Sequence, residues 1–246
     1  FTILGGGKTA MDTGAWLLSA GANPDTITWV CPRDSWLVNR RTTQPGSAFF
    51  EQTIGGFAKQ LDAMKAATSV DDLFERLEAA DIMLRIDPSI QPSMFHYATV
   101  SRGEVEQLRR IRNVIRQEHV SHVGADVLTM KSGQTIPANR NTLYIDCTAT
   151  AVQFVGTKTE PVFSGDRITI QALRAPLVST SAALTAFCEA NFEDEVDKNA
   201  VCTPIELTDT PAEWIHAFLG NMMNLNNWSQ IPSVRDWFAR CRLNPA

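Results

Sequence analysis

Gly5-x-Gly7-x-x-Ala10, within the run Ile3-Leu4-Gly5-Gly6-Gly7-Lys8-Thr9-Ala10, is where residue type and spacing carry chemistry. Such a run makes a phosphate cradle. Gly5 permits a tight turn, Gly7 lets a pyrophosphate approach bare backbone, and Ala10 lets the next helix pack closely on the preceding strand. A helix starting at Lys8 and Thr9 presents unpaired N–H groups and the positive end of its dipole to the phosphates. The second chemical residue is Arg33, at the end of Trp29-Val30-Cys31-Pro32-Arg33-Asp34. A site for NAD usually places an acid here to accept from the ribose 2′-hydroxyl. A guanidinium instead clamps a 2′-phosphate through two hydrogen bonds. The pattern favours NADP(H), with Asp34 beside Arg33 as the residue that keeps NAD open. The missing acid at Arg33 also speaks against a methyltransferase.

Other candidates carry less. Cys31, Cys147, Cys188, Cys202 and Cys241 are scattered, odd in number and without a C-x-x-C pair. This fits a reducing, cytoplasmic setting and argues against a zinc ribbon or redox disulfide. His119 and His122 lack nearby acid or thiol partners, so no metal site is expected. His96 and Tyr97 beside a proline-rich loop suit either a substrate contact or a packed loop. Arg40 and Arg41 read as loop arginines, and Arg102, Arg109, Arg110 and Arg112 as a solvated helix face.

These residues need elements to hold them. Phe1–Leu4 reads as a strand that runs straight into the glycines. Ala10, Gly14, Leu17 and Leu18 fall on one helix face, and Gly21 stops that helix. Thr26–Cys31 is the second strand. The segment from about 45 to 112 reads as a helical insert, a candidate substrate lid. Within it lie a helix weakened at Gly55-Gly56, a helix capped by Ser69 with Leu73, Leu77 and Ala80 on one face, and a helix from "VEQLRRIRNVI" started by a Ser101/Glu104 capping box. Short β runs then form a meander with a hairpin turn at Lys131–Gln134, followed by a strand from Leu143 to Cys147. From Ser179 onward the sequence reads mainly helical, with Trp214, Phe218, Trp228, Trp237 and Phe238 as helix-packing core.

With 44% hydrophobic and 20% charged residues, the composition is that of an ordinary globular protein. A net charge of −5 gives no general nucleic-acid binder, whose phosphate contacts need a basic face. No apolar run approaches a membrane span.

"GGGKTAMD" followed by "WVCPRDSW" resembles the NADP-binding domain of flavoproteins with two dinucleotide-binding domains, the flavin-containing monooxygenase-like and pyridine nucleotide-disulfide oxidoreductase-like proteins. The glycine loop is also similar to that of the glutamate synthase small subunit. The resemblance implies an α/β fold: a Rossmann-like domain over residues 1–150, with the helical insert and β-meander, then a mostly helical completion of a FAD-binding domain over 151–246. It implies NADP and FAD as cofactors, with Gly5, Gly6, Gly7, Lys8, Thr9, Ala10 and Arg33 on NADP(H). Thr148 and Ala149 would line the cofactor, although Cys147-Thr148-Ala149-Thr150 lacks the glycine of the usual turn. Gly165-Asp166 precedes a strand-like run where relatives place the pair after one, so it reads as a plain turn. Any flavin contact is expected near Gln171 or Arg174. The N-terminal FAD segment is absent, and the sequence is expected to be the second half of a larger protein. The implied reaction is hydride transfer from NADPH to flavin, with monooxygenation or reduction of a small organic substrate. A non-catalytic NADP(H) sensor is the alternative, and no catalytic acid or base is assigned.

Overall fold

The computed structural model describes residues 1–44, 47–116, 118–150 and 158–243. In chain order the elements of the first 150 residues are β1 (Thr2–Leu4), α1 (Lys8–Ser19), β2 (Thr28–Cys31), β3 (Leu37–Asn39), α2 (Phe50–Ala66), α3 (Val70–Ala79), β4 (Met83–Leu84), β5 (Thr99–Val100), α4 (Arg102–Leu108), β6 (Asn113–Arg116), β7 (Val120–Val123), β8 (Val127–Met130), β9 (Thr135–Pro137) and β10 (Tyr144–Asp146). The remainder holds β11 (Phe163–Ser164), β12 (Arg167–Ile168), α5 (Val178–Asn191), α6 (Glu195–Val201), α7 (Pro211–Gln230) and α8 (Pro232–Arg240). The fold is α/β. Two compact units divide it, one of Phe1–Thr42 with Gly56–Ala151, the other of Thr43–Gly55 with Val152–Ala246. The division falls inside α2 at the Gly55-Gly56 pair, yet α2 continues through both glycines. The boundary expected after residue 150 adjoins 151–157, which lie outside the described residues.

The first unit is built on a four-stranded parallel sheet in the order β6-β2-β1-β10. β1 is central, with Thr2 opposite Thr28 of β2 on one side and Tyr144 of β10 on the other. Its three residues are all buried, as suits a strand with neighbours on both edges and α1 packed against it. α1 packs Ala10, Leu17 and Leu18 into the core with Ile3, Trp29 and Leu108. Gly14 brings α1 close to α4, since a Cβ there would meet Leu108 Cδ2 at 3.0 Å and Ile111 Cδ1 at 3.2 Å. α1 ends as its sequence predicts. Gly21 takes φ +89, its N–H donates to Leu18 O, and Ala22 N–H donates to Leu17 O, which is a Schellman closure.

The insert is not purely helical. Besides α2, α3 and α4 it holds β4 and β5, which flank β3, a strand that precedes the insert, in a second sheet, β4-β3-β5. Ser69 caps α3 by accepting from Asp72 N–H, and Ser101 with Glu104 forms the capping box of α4. α4 is shorter than expected. It stops at Leu108, and Asn113–Arg116 becomes β6, because pairing with β2 over four residues outweighs the weak helical preference of that stretch. Arg109 is not simply solvated either: it donates to the carbonyls of Ile86 at 2.7 Å and Arg85 at 3.0 Å, and Arg102 pairs with Asp81. The antiparallel meander β7-β8-β9 follows, with Gly133 at φ +90 in its second turn.

The second unit is mainly helical. Trp228, Leu184, Cys188, Val201 and Cys202 form its core with the hairpin residue Phe163, and Trp237 and Phe238 pack against it. Trp228 donates its indole N–H to Val201 O at 2.8 Å. Gly165-Asp166 is the β11–β12 turn, with Gly165 at φ +59. No helix among the described residues is long and apolar enough to cross a membrane.

Candidate functional site

Because β1, β2, β6 and β10 are parallel, their C-terminal ends emerge at one edge. Gly5 follows β1, Arg33 follows β2, Glu118 and His119 follow β6, and Thr148 follows β10. The chain order reverses beside β1, with β2 and β6 on one side and β10 on the other. In open parallel sheets such a reversal leaves a crevice outside the strand ends. The glycine turn occupies it.

The three glycines have three different surroundings. Gly5 takes φ +125, and a Cβ there would sit 2.6 Å from Cys147 O. A Cβ on Gly6 would sit 2.8 Å from Arg33 O and 3.2 Å from Cys31 Sγ. A Cβ on Gly7 would meet nothing within 4 Å. The turn is therefore wedged between the ends of β2 and β10, and its open side is at Gly7. Gly7 is also the N-cap of α1, with no side chain capping the helix and no acid in the first turn. The first N–H groups of this twelve-residue helix thus keep the donor capacity and positive dipole end suited to an anion.

Two supports of the turn escaped sequence reasoning. Trp29, buried on β2, donates its indole N–H to Gly5 O at 2.7 Å. The only sequence signal was an indole two residues before the end of the second strand, which by itself reads as core. Thr13 on α1 donates to Thr9 O and contacts Cys147 Sγ at 3.5 Å, tying the first helical turns to the end of β10. Cys31, beneath Gly6, is held as a thiol: burial first, then the Asp34 charge, pushes its pKa up to about 12 against the opposing pull of Arg116.

Of the expected site residues, Gly5, Gly6, Gly7, Thr9, Ala10 and Arg33 gather at this edge. Ala10 is fully buried under the turn. Lys8 is at the helix start, but its ammonium pairs with Asp12 and lies 3.8 Å from Glu104, directing it along α1 toward α4. Thr148 and Ala149 are exposed just beyond Cys147, and Thr148 donates to Asp146 through both its N–H and hydroxyl, which holds the Asp146 carboxyl below its usual pKa. Asp34, the residue that kept NAD open, accepts from Arg116 Nε at 2.8 Å. Arg116 also reaches Asp87 at 3.1 Å. Arg116 closes β6, far from Asp34 in sequence, so nothing local announced the pair.

Glu104 organises the side of α1. It accepts from Ser101 and Arg40 and lies near Lys8. Burial acts to raise its pKa, but the hydrogen bonds from Ser101 and Arg40 outweigh it and hold the carboxyl low. Arg40 is thus engaged in structure rather than free in a loop. Gln171 is likewise engaged, by the main chain of Glu160, and Arg174 is half-buried with its pKa lowered by desolvation. A surface cavity of about 380 Å³ lies at the other end of the strands, lined by Pro24, Asp25, Glu106, Arg109, Arg110 and Arg112. Its mixed charges and distance from the glycine turn separate it from this site.

No protein-family model matches the chain, and no solved structure matches it. The chain is similar to the Uncharacterized protein Rv2000 of Mycobacterium tuberculosis strain H37Rv and to the Uncharacterized protein Mb2023 of Mycobacterium bovis, each 43% identical over 244 residues. The match takes in 99% of this chain and 45% of each relative, so the chain spans under half the length of the curated relatives it matches.

Proposed function

We propose that the first unit is a Rossmann-like NADP(H)-binding domain and that the chain forms part of a cytoplasmic flavoprotein oxidoreductase. The observation that carries this reading is the turn Gly5–Gly7: pinned on two sides by Cys147 and Arg33, open at Gly7, and set at the chain reversal above the start of α1. A pyrophosphate approaching Gly7 meets backbone N–H groups with no side chain in the way. Arg33 reads the 2′-phosphate, and Asp34, already taken by Arg116, does not compete for a ribose hydroxyl.

NADPH supplies a hydride when bound, and FAD would receive it before a small organic substrate is reduced or oxygenated. This chain's residues hold and orient the nucleotide. Thr148 and Ala149 bound it on the β10 side. The second unit does not fit a flavin pyrophosphate: its described glycines stand within α2 (Gly55), in a hairpin turn (Gly165) and within α7 (Gly220), none opening a helix. FAD is therefore assigned to polypeptide beyond this chain, for which the unmatched half of the relatives has room.

Equilibrium binding by nucleotide fluorescence tests the reading. NADPH should bind the purified chain about tenfold or more tightly than NADH, and Arg33→Ala should erase that difference by removing a charge-assisted contact. A folded protein that binds neither nucleotide would refute it.

A further inference from the structure

The strand register brings a second polar stretch, Glu118-His119, to the same edge. β2 and β6 run parallel with Cys31 opposite Arg116. Arg33 leaves the sheet two residues past Cys31, and Glu118 and His119 leave it two and three residues past Arg116, so the two stretches emerge side by side. The chain then enters β7, whose Val120 pairs with Met130 of β8, and Lys131 N–H donates to His119 O at 2.8 Å. Arg33, His119 and Lys131 thus converge from three separate stretches of the first unit. Partial desolvation, followed by the charges of Lys131 and Arg33, lowers the pKa of His119, while the Glu118 carboxylate opposes them. Of the other carboxylates at this edge, Asp34 is taken by Arg116 and Asp146 by Thr148. Lys131 and Arg33 give this corner fixed positive charge for an incoming anion to meet, with the Glu118 carboxylate competing for it.

We propose that the β7–β8 meander forms the far wall of a phosphate pocket, in which Lys131 and His119 join Arg33 in recognising a phosphorylated ribose. The inference rests on the nucleotide-binding reading above and deepens it: specificity is shared between the β2 loop and the meander. Lys131 supplies a permanent charge. His119 takes up a proton as the phosphate dianion arrives, so its contribution grows as pH falls from 7 toward 6.

Calorimetric titration of the whole chain with NADPH, NADH and 2′,5′-ADP tests it. Both side chains are exposed, so their replacement leaves the core intact, which circular dichroism verifies. Lys131→Ala should weaken NADPH and 2′,5′-ADP about tenfold, leaving NADH unchanged, and Lys131→Arg should restore most of the loss. His119→Gln should weaken both phosphorylated ligands about two- to threefold at pH 7 and more at pH 6, and should lower the proton uptake that accompanies 2′,5′-ADP binding. Equal losses for NADPH and NADH would overturn the proposal by showing a merely structural role. Wild-type affinities in both variants, with Arg33→Ala still impaired, would overturn it while sparing the nucleotide site. A folded wild-type chain that binds none of the three ligands would overturn the underlying reading and this one with it.

Discussion

Replacing Gly7 with alanine separates the ligand's requirements from those of the fold. Gly7 has φ −85 and ψ −179, which alanine adopts without strain, and its Cβ would enter open space. Losing glycine's freedom in the unfolded chain favours the variant by about 0.4–1 kcal/mol. Losing glycine at an N-cap costs a similar amount, so net stability should stay within about 0.5 kcal/mol of wild type. The methyl group would nevertheless stand where a pyrophosphate approaches. Displacing one charge-assisted hydrogen bond costs about 1.5–3 kcal/mol, roughly ten- to a hundredfold in NADPH affinity. Gly5→Ala is the contrast. Its φ of +125 and the 2.6 Å approach to Cys147 O force the backbone to move, at a cost of the order of 3 kcal/mol or more. The melting temperature should then fall by about 6–12 °C. Thermal unfolding and calorimetric titration of both variants provide the assay. A folded Gly7→Ala protein with unchanged NADPH affinity would sink the cradle argument. So would a Gly7→Ala protein as unstable as Gly5→Ala, since the turn would then be closed on all sides.

Trp29→Phe strands Gly5 O without its donor and leaves a cavity where the five-membered ring stood, which together should cost about 2 kcal/mol or more in thermal denaturation and also loosen NADPH binding; unchanged stability would show that the indole hydrogen bond is dispensable. Glu104→Gln tests the network beside α1. A carboxyl whose folded pKa lies below its unfolded value stabilises above the unfolded pKa and loses that contribution as pH falls through the folded one. The melting temperatures of wild type and Glu104→Gln should therefore differ at pH 7 and converge below about pH 4.3, whereas a gap constant with pH would show that the charge of Glu104 contributes nothing.

Local chemistry was legible and distant pairing was not. Ser69, the Ser101–Glu104 box and Gly21 mark helix ends through bonds spanning a few residues, and they stand in the structure where the sequence puts them. The parallel sheet could be anticipated because Ala10, Gly14, Leu17 and Leu18 define a helix face between two apolar runs. The β4-β3-β5 sheet could not, because strands of two or three residues, such as Met83–Leu84, are too short to display an alternating pattern. At the site, the glycine spacing stands in sequence, but the Arg116–Asp34 pair and the indole bond of Trp29 depend on which strands become neighbours. Lys8 shows the same limit: its position at the turn says nothing of its ion pairs with Asp12 and Glu104.

The central place of β1 bears on how the protein acquires its shape during synthesis. β1 can pair with β2 soon after both leave the ribosome, but its other edge stays open until Tyr144–Asp146 has been made. Throughout that interval the nascent chain carries an unpaired strand edge with Ile3 and Leu4 beside it, the kind of surface that invites pairing with other chains. Folding of the first unit should accordingly be slow, limited by closure of a long loop around the insert and meander, and dependent on chaperone protection until β10 arrives.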